Sequence, residues 1–249
     1  CRPHPARCTG VLPADAAVAR ATPDIEQLTM RIALAVIAAV LLLIAGLWLI
    51  PRDAVVPEQV READLPWRVT PLEDGTSRVL GLHLGDATLA DAIARFGDVE
   101  SISLFVDSEG RRSLEAYFGK LRLGPWDARV ITRLDAEADL LDHLAANSVG
   151  RTATRSGDTR LLPKDDDKAA LLGQRLSGIT YIPASGNLEA DFFRERLGEP
   201  AAWRQEGENA VSWFYPDLGL SVLIDAKGKE AMEYAPPRDF TIPPDAVTD

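Results

Sequence analysis

Past its eighth residue this chain has no cysteine: Cys1 and Cys8 are the only two. No disulfide can staple the body of the protein, and cysteine usage says nothing about its redox compartment. Histidine is nearly as scarce, with His4, His83 and His143 alone. No G-x-S-x-G, H-E-x-x-H, P-loop or G-x-G-x-x-G sequence occurs. The short motifs of nucleophilic, zinc, nucleotide and dinucleotide chemistry are therefore missing. Positive charge is in short supply as well. The net charge is −11, whereas a phosphate backbone is held by clustered Lys and Arg, so nucleic acid is not an expected partner. The same acidity disfavours electrostatic docking on anionic lipid headgroups.

What the chain does have is one long apolar run, "MRIALAVIAAVLLLIAGLWLIPR", at 30–52. From Ile32 to Ile50 no side chain is charged, amidic or hydroxylated. As a helix this stretch spans roughly 28 Å, close to the hydrocarbon core of a bilayer. A buried helix of a globular core is normally shorter and keeps a polar face. The run therefore predicts a transmembrane anchor over 30–51 that meets the lipid bilayer through residues 32–50. Arg31 and Arg52 fix its ends, Trp48 sits where an interfacial aromatic belongs, and Pro51 stops the helix. The apolar stretch exceeds a signal peptide's core and no Ala-x-Ala site follows, so the anchor is read as uncleaved.

Orientation is less firmly written, because Arg20 and Arg31 before the span nearly balance Arg52 and Arg61 after it. A short basic piece, a span and then a long domain is the layout of a signal-anchor. That layout predicts a single-pass protein of the inner (cytoplasmic) membrane whose C-terminal domain faces the periplasm. Met30 stands directly before the span, which predicts that translation starts there and that residues 1–29 are either untranslated or a disordered leader. Cys1, Cys8 and His4 lack a paired C-x-x-C, so no metal is expected on them.

Residues 51–70 hold three prolines among charges, and 52–70 reads as a linker with a short helix near Glu58–Ala63. Residues 71–240 read as one soluble domain, and 241–249 as a disordered tail. In "ATLADAIARFGD", Leu89, Ile93 and Phe96 have the spacing of an amphipathic helix, with Thr88 to cap it and Gly97 to end it. "DAEADLLDHLAAN", "DDDKAALLG" and "NLEADFFRERLG" read as further helices, the last capped by Asn187 and stopped by Gly198. "SISLFVD", "SLEAYFGKLRL", "SGITYIP", "NAVSWFYP", "GLSVLID" and "KEAMEYA" read as strands joined by turn chemistry. The expected fold class is α+β: one N-terminal transmembrane helix, then a mixed domain with antiparallel sheet.

The segment 103–115, "SLFVDSEGRRSLE", aligns without gaps to 221–233, "SVLIDAKGKEAME". Phe96-Gly97-Asp98 and Leu197-Gly198-Glu199 stand upstream of the two copies. A duplication with repeats at 80–135 and 176–237 is one reading, and two merely similar hairpins is the other.

Residues 187–235 carry Leu197-Gly198-Glu199-Pro200, the trio Trp213, Phe214 and Tyr215, and then a strand with a glycine turn. This stretch resembles the helix-then-hairpin module of the BamE outer-membrane assembly lipoproteins and of beta-lactamase inhibitor proteins. The chain lacks the lipid-attachment cysteine of the BamE pattern, so outer-membrane location does not carry over. The resemblance implies a binding or scaffolding module in the envelope. The whole chain also resembles membrane-anchored proteins of proteobacteria.

Candidate chemistry is thin. His83 and His143 stand alone in sequence. Asp165, Asp166 and Asp167 lack the alternating oxygen spacing of a calcium loop and suit a helix start. Glu189 with Glu195, or Asp107 with Asp225, could serve as paired carboxylates of a membrane-tethered periplasmic hydrolase, the alternative function. Asp107 and Asp225 are better explained as turn-formers. No catalytic, metal or cofactor residue is expected, and no cofactor. Trp203, Trp213 and Tyr215 are the candidate partner surface, since Trp and Tyr anchor interfaces. The expected function is a non-enzymatic module that binds another envelope protein.

Overall fold

The computed structural model describes residues 65–123, 126–184 and 188–248. The apolar run with its flanks Arg31, Trp48 and Arg52, the leader, the helix expected near residue 60 and the cap Asn187 all lie outside these residues.

Three short strands, β1 (Thr70–Pro71), β2 (Ser77–Val79) and β3 (Leu82–Leu84), form a small antiparallel sheet. Then come α1 (Leu89–Phe96), β4 (Ser101–Val106), β5 (Arg112–Leu123), β6 (Trp126–Asp135) and α2 (Ala138–Ala146). They are followed by β7 (Gly150–Ala153), β8 (Thr159–Leu162), α3 (Asp165–Leu171), β9 (Arg175–Pro183) and α4 (Ala190–Leu197). The chain closes with β10 (Ala202–Glu206), β11 (Ala210–Tyr215), β12 (Leu220–Asp225), β13 (Ala231–Tyr234) and β14 (Val247–Thr248). The last eleven strands make one sheet, ordered β14-β10-β11-β12-β13-β9-β6-β5-β4-β8-β7, with every neighbouring pair antiparallel.

This corrects the expected α+β class. The described chain is dominated by antiparallel sheet, and its four α-helices run only seven to nine residues. Among the described residues no helix is long and apolar enough to cross a membrane. The physical reason is that "WDARVITRLD", "GRTA", "TRLL" and "AWRQE" pair as strands although they carry polar and charged residues throughout. Half of a one-sided sheet faces water and need not be apolar. The proline-rich end, expected as a loose tail, is also held: Thr248 and Val247 pair with Ala202 and Trp203 of β10.

Helix α1 forms as its sequence suggests. Thr88 and Asp91 exchange bonds in a capping box, and Gly97 ends the helix at φ 91°. Leu89, Ala92 and Phe96 are buried. Helix α3 starts at the three aspartates, which fill its first turn, with Lys164 as its cap residue. In β5 a bulge after Tyr117 inserts Gly119 at φ 74°. The extra residue resets the alternation, so Phe118, Leu121 and Leu123 all point to the core while Tyr117 and Lys120 point away.

The pairing register reveals an internal two-fold. One continuous row crosses eight strands: Ala202, Phe214, Ser221, Glu233, Thr180, Ile131, Tyr117, Ser101. It reads alike from both ends, so an approximate axis normal to the sheet passes between Glu233 and Thr180. The axis takes α4-β10-β11-β12-β13 onto α1-β4-β5-β6-β9. Gly198 (φ 81°, ψ −168°) matches Gly97 (φ 91°, ψ −164°), and Tyr234 matches Tyr181. The segment α2-β7-β8-α3 is an insertion between the third and fourth strands of the first unit. The two strand sets that the axis relates span 89–183 and 190–234. The aligned hairpins share turn chemistry. Asp107 Oδ1 accepts from the Glu109 and Arg111 amides, and Asp225 Oδ1 from the Lys227 amide. Gly110 and Gly228 each donate back to the aspartate's carbonyl.

Helices pack on one face of the large sheet. There Leu104, Leu114, Val130, Ile179, Val222 and Met232 join side chains of α1, α2 and α4 in one core cluster. Tyr181 and Tyr234 lie beside the axis in this core. Tyr234 Oη donates to Pro66 O at 2.7 Å. Burial pushes the Tyr181 phenol up to about 12 and holds the Tyr234 phenol well above its ordinary value.

Candidate functional site

The opposite face of the large sheet carries no α-helix among the described residues. Its alternation is legible strand by strand. In β4, Ile102 and Leu104 are buried in the core, while Ser101 and Phe105 stand half-exposed on the other side with Ser103 between them. Tyr117, Ile131 and Leu223 are likewise half-exposed and belong to no part of the core cluster. Around them lie Glu115, Arg133, Arg160, Thr180, Ser221 and Glu233. The face therefore mixes half-exposed apolar side chains with charges of both signs.

Two depressions mark it. One of about 640 Å³ lies where Phe214, Ser221, Leu223 and Glu233 meet Phe240 and Pro243 of the C-terminal segment. Arg204 sits in its wall. That guanidinium donates to Glu206 Oε1 at 2.6 and 2.8 Å and to Asp245 Oδ1 at 3.2 Å. These carboxylates raise the Arg204 pKa, Glu206 foremost. The second depression, about 200 Å³, lies between Ser101, Phe105, Tyr117, Ile131 and Arg160. Arg160 is fixed there by bonds from Nε to Ser103 Oγ (2.8 Å) and from Nη2 to Ser101 Oγ (3.3 Å).

The residues first singled out as a partner surface lie on the other side. Trp213 and Tyr215 are 7% and 5% exposed and face the helices. Arg194 of α4 stacks over the Trp213 ring at 5.0 Å, and Tyr215 Oη donates to Gly198 O at 3.1 Å. Trp203, directly across from Trp213, is half-buried against the same core. Their neighbour Phe214 is the member of the trio that points to the open face.

The carboxylate pairs are not brought together. Asp107 and Asp225 sit in hairpin turns at opposite ends of the sheet, with five strand spacings between them sideways, about 24 Å at ~4.8 Å per strand. Glu189 is the cap residue of α4, and Glu195 is exposed beside Arg196. His83 lies in the small sheet, where Nε2 is 2.6 Å from Thr76 Oγ1 and Thr76 Oγ1 is 2.5 Å from Asp74 Oδ1. The hydroxyl donates to the carboxylate and accepts from the imidazole. Hydrogen bonds from Thr76 hold the Asp74 carboxyl below its usual range. Thr76 itself is 2% exposed, and these bonds tie the turn before β2 to β3, with Asp74 at the surface. His143 Nε2 lies 3.1 Å from Asp167 Oδ1 and ties α2 to α3, with Asn147 on the other ring nitrogen. Among the described residues no three His, Cys, Asp or Glu side chains gather into a metal site.

Sequence reasoning missed Phe105, Tyr117, Ile131, Leu223 and Arg160. Their signal was the alternation itself: "SISLFV" splits into Ser-Ser-Phe and Ile-Leu-Val faces, but nothing in one strand says which face the helices cover.

In class this is a protein built on one large antiparallel sheet with short helices on one side. No known protein family, no curated protein and no solved structure matches the chain.

Proposed function

We propose that this chain is a non-enzymatic binding or scaffolding module of the cell envelope whose partner protein docks on the open face of the large sheet. One observation carries the reading: half-buried Phe105, Tyr117, Ile131 and Leu223 lie, outside the core cluster, on a face with no α-helix among the described residues. A sheet normally buries the face that carries such side chains, and an apolar surface rimmed by charge is the mark of an interaction site. The tether is proposed from the 30–52 run alone, with the domain on the periplasmic side of the inner membrane. The likeness of 187–235 to BamE and beta-lactamase inhibitor modules supports a binding role.

The test is co-purification of the full chain, with its apolar run, from detergent-solubilised membranes. Ile131→Asp and Leu223→Asp place a charge on the open face, and Ala94→Asp places one on the exposed side of α1. Wild type and Ala94→Asp are expected to retain a common stoichiometric partner, and both open-face variants to lose it at unchanged circular dichroism. Retention by both open-face variants, or no partner for wild type, overturns the proposal.

A further inference from the structure

We propose that the bare half of the open face, around Tyr117 and Arg160, binds an extended acidic segment of the partner protein, seated as this chain's own C-terminal segment is seated on the related half. The inference rests on the open face being the partner surface and names the chemistry of what lands there.

The molecule supplies its own template. After β13 the chain crosses to the outer side of β10, where Val247 pairs with Trp203. Along the way Phe240, Thr241 and Pro243 wall the larger depression beside Phe214 and Ser221. Asp245 accepts from Arg204 at 3.2 Å. An aromatic and a proline beside the sheet, with a carboxylate on an arginine, is thus a mode this surface already accommodates. Phe214 is left only 5% exposed by it.

The two-fold places Tyr117 where Phe214 stands, and Ile131 where Ser221 stands. Tyr117 is half-exposed, and no C-terminal residue lines the depression beside it. An arginine is again at hand. Arg160, across from Phe105 in the register, uses Nε and Nη2 on the two serines and leaves Nη1 without a described partner. Arg133 is exposed and in no described ion pair. The acids in this half are Glu115, which accepts from Ser113 and lies across from Arg133 in the register, and Asp127 and Asp135 on the same side of β6. Arg160, Arg133, Arg129, Lys120 and Arg122 outnumber Glu115, Asp135 and Asp127 on this side of the strands, which makes it a positive patch on a chain of net charge −11. That complements an acidic segment, and a fixed guanidinium suits a carboxylate better than a mobile ammonium does.

The test uses intact protein and a fluorescein-labelled peptide, RDFTIPPDAVTD, the sequence of 238–249. Anisotropy is expected to show saturable binding. Affinity should fall at least tenfold with Arg160→Gln, with Tyr117→Asp, and with the peptide's first alanine-flanking aspartate changed to asparagine; Ala94→Asp should change nothing. No saturable binding overturns the proposal. So does binding untouched by Arg160→Gln but lost with Arg204→Gln, which would mean that the peptide merely displaces the chain's own segment. If the peptide fails while Ile131→Asp still strips the partner in co-purification, the open-face reading stands and only the acidic-segment chemistry falls.

Discussion

Gly219→Ala is expected to cost at least about 3 kcal/mol of stability, against about 1 kcal/mol for Gly110→Ala. Both glycines have positive φ, 61° and 82°. An L-residue pays for that conformation at either position. The difference is what a methyl would meet. At Gly110 nothing lies within 4 Å. At Gly219 a Cβ would fall far inside contact distance of the Ala235 carbonyl oxygen and 3.0 Å from Pro237 N. These are backbone atoms and cannot rotate away. Gly219 also ends the 3₁₀ turn Pro216–Leu218 and accepts the Ala235 amide at 2.8 Å. Relief would therefore have to separate β12 from the end of β13, next to the two-fold axis. Urea denaturation of both variants gives the comparison; equal losses would mean that the backbone approach at Gly219 is looser than described.

Phe118→Ala should cost about 3–5 kcal/mol, while Tyr117→Ala, one residue earlier, should cost less than about 1 kcal/mol. Phe118 is 2% exposed and meets Phe96 edge-on, with ring centroids 5.4 Å apart. Removing its ring opens a cavity between sheet and helix that a packed core fills poorly. Tyr117 points to the open face, where water takes the place of the lost ring. The contrast reads the two faces of β5 through neighbouring residues of similar size. Similar losses in urea would mean that both faces are core.

Much of the local structure was legible in the sequence, and for stated reasons. Thr88 and Gly97 bounded their helix because a hydroxyl and a positive-φ glycine satisfy end groups locally. Gly198 did the same for α4. Asp107 and Asp225 formed the turns expected of them. The fold class was misjudged because strands such as β6 and β10, with water on one side, carry Arg and Asp at alternate positions. Their apolar half was too sparse to announce a strand by itself. The candidate surface was misplaced for a related reason. Alternation along β11 puts Trp213 and Tyr215 on one face and Phe214 on the other, but which face α4 covers depends on residues far away in the chain. Register across eight strands, which no single segment encodes, is what exposes the approximate two-fold and the row from Ser101 to Ala202.

The open face as the partner surface is tested most directly by a photo-crosslinking amino acid placed, in separate full-length proteins, at Ile131 and at Ala94. Irradiation of membranes should give an adduct of one discrete mass from position 131 and none from position 94. An adduct from position 94 with none from 131 would contradict the assignment and move the partner to the helical side.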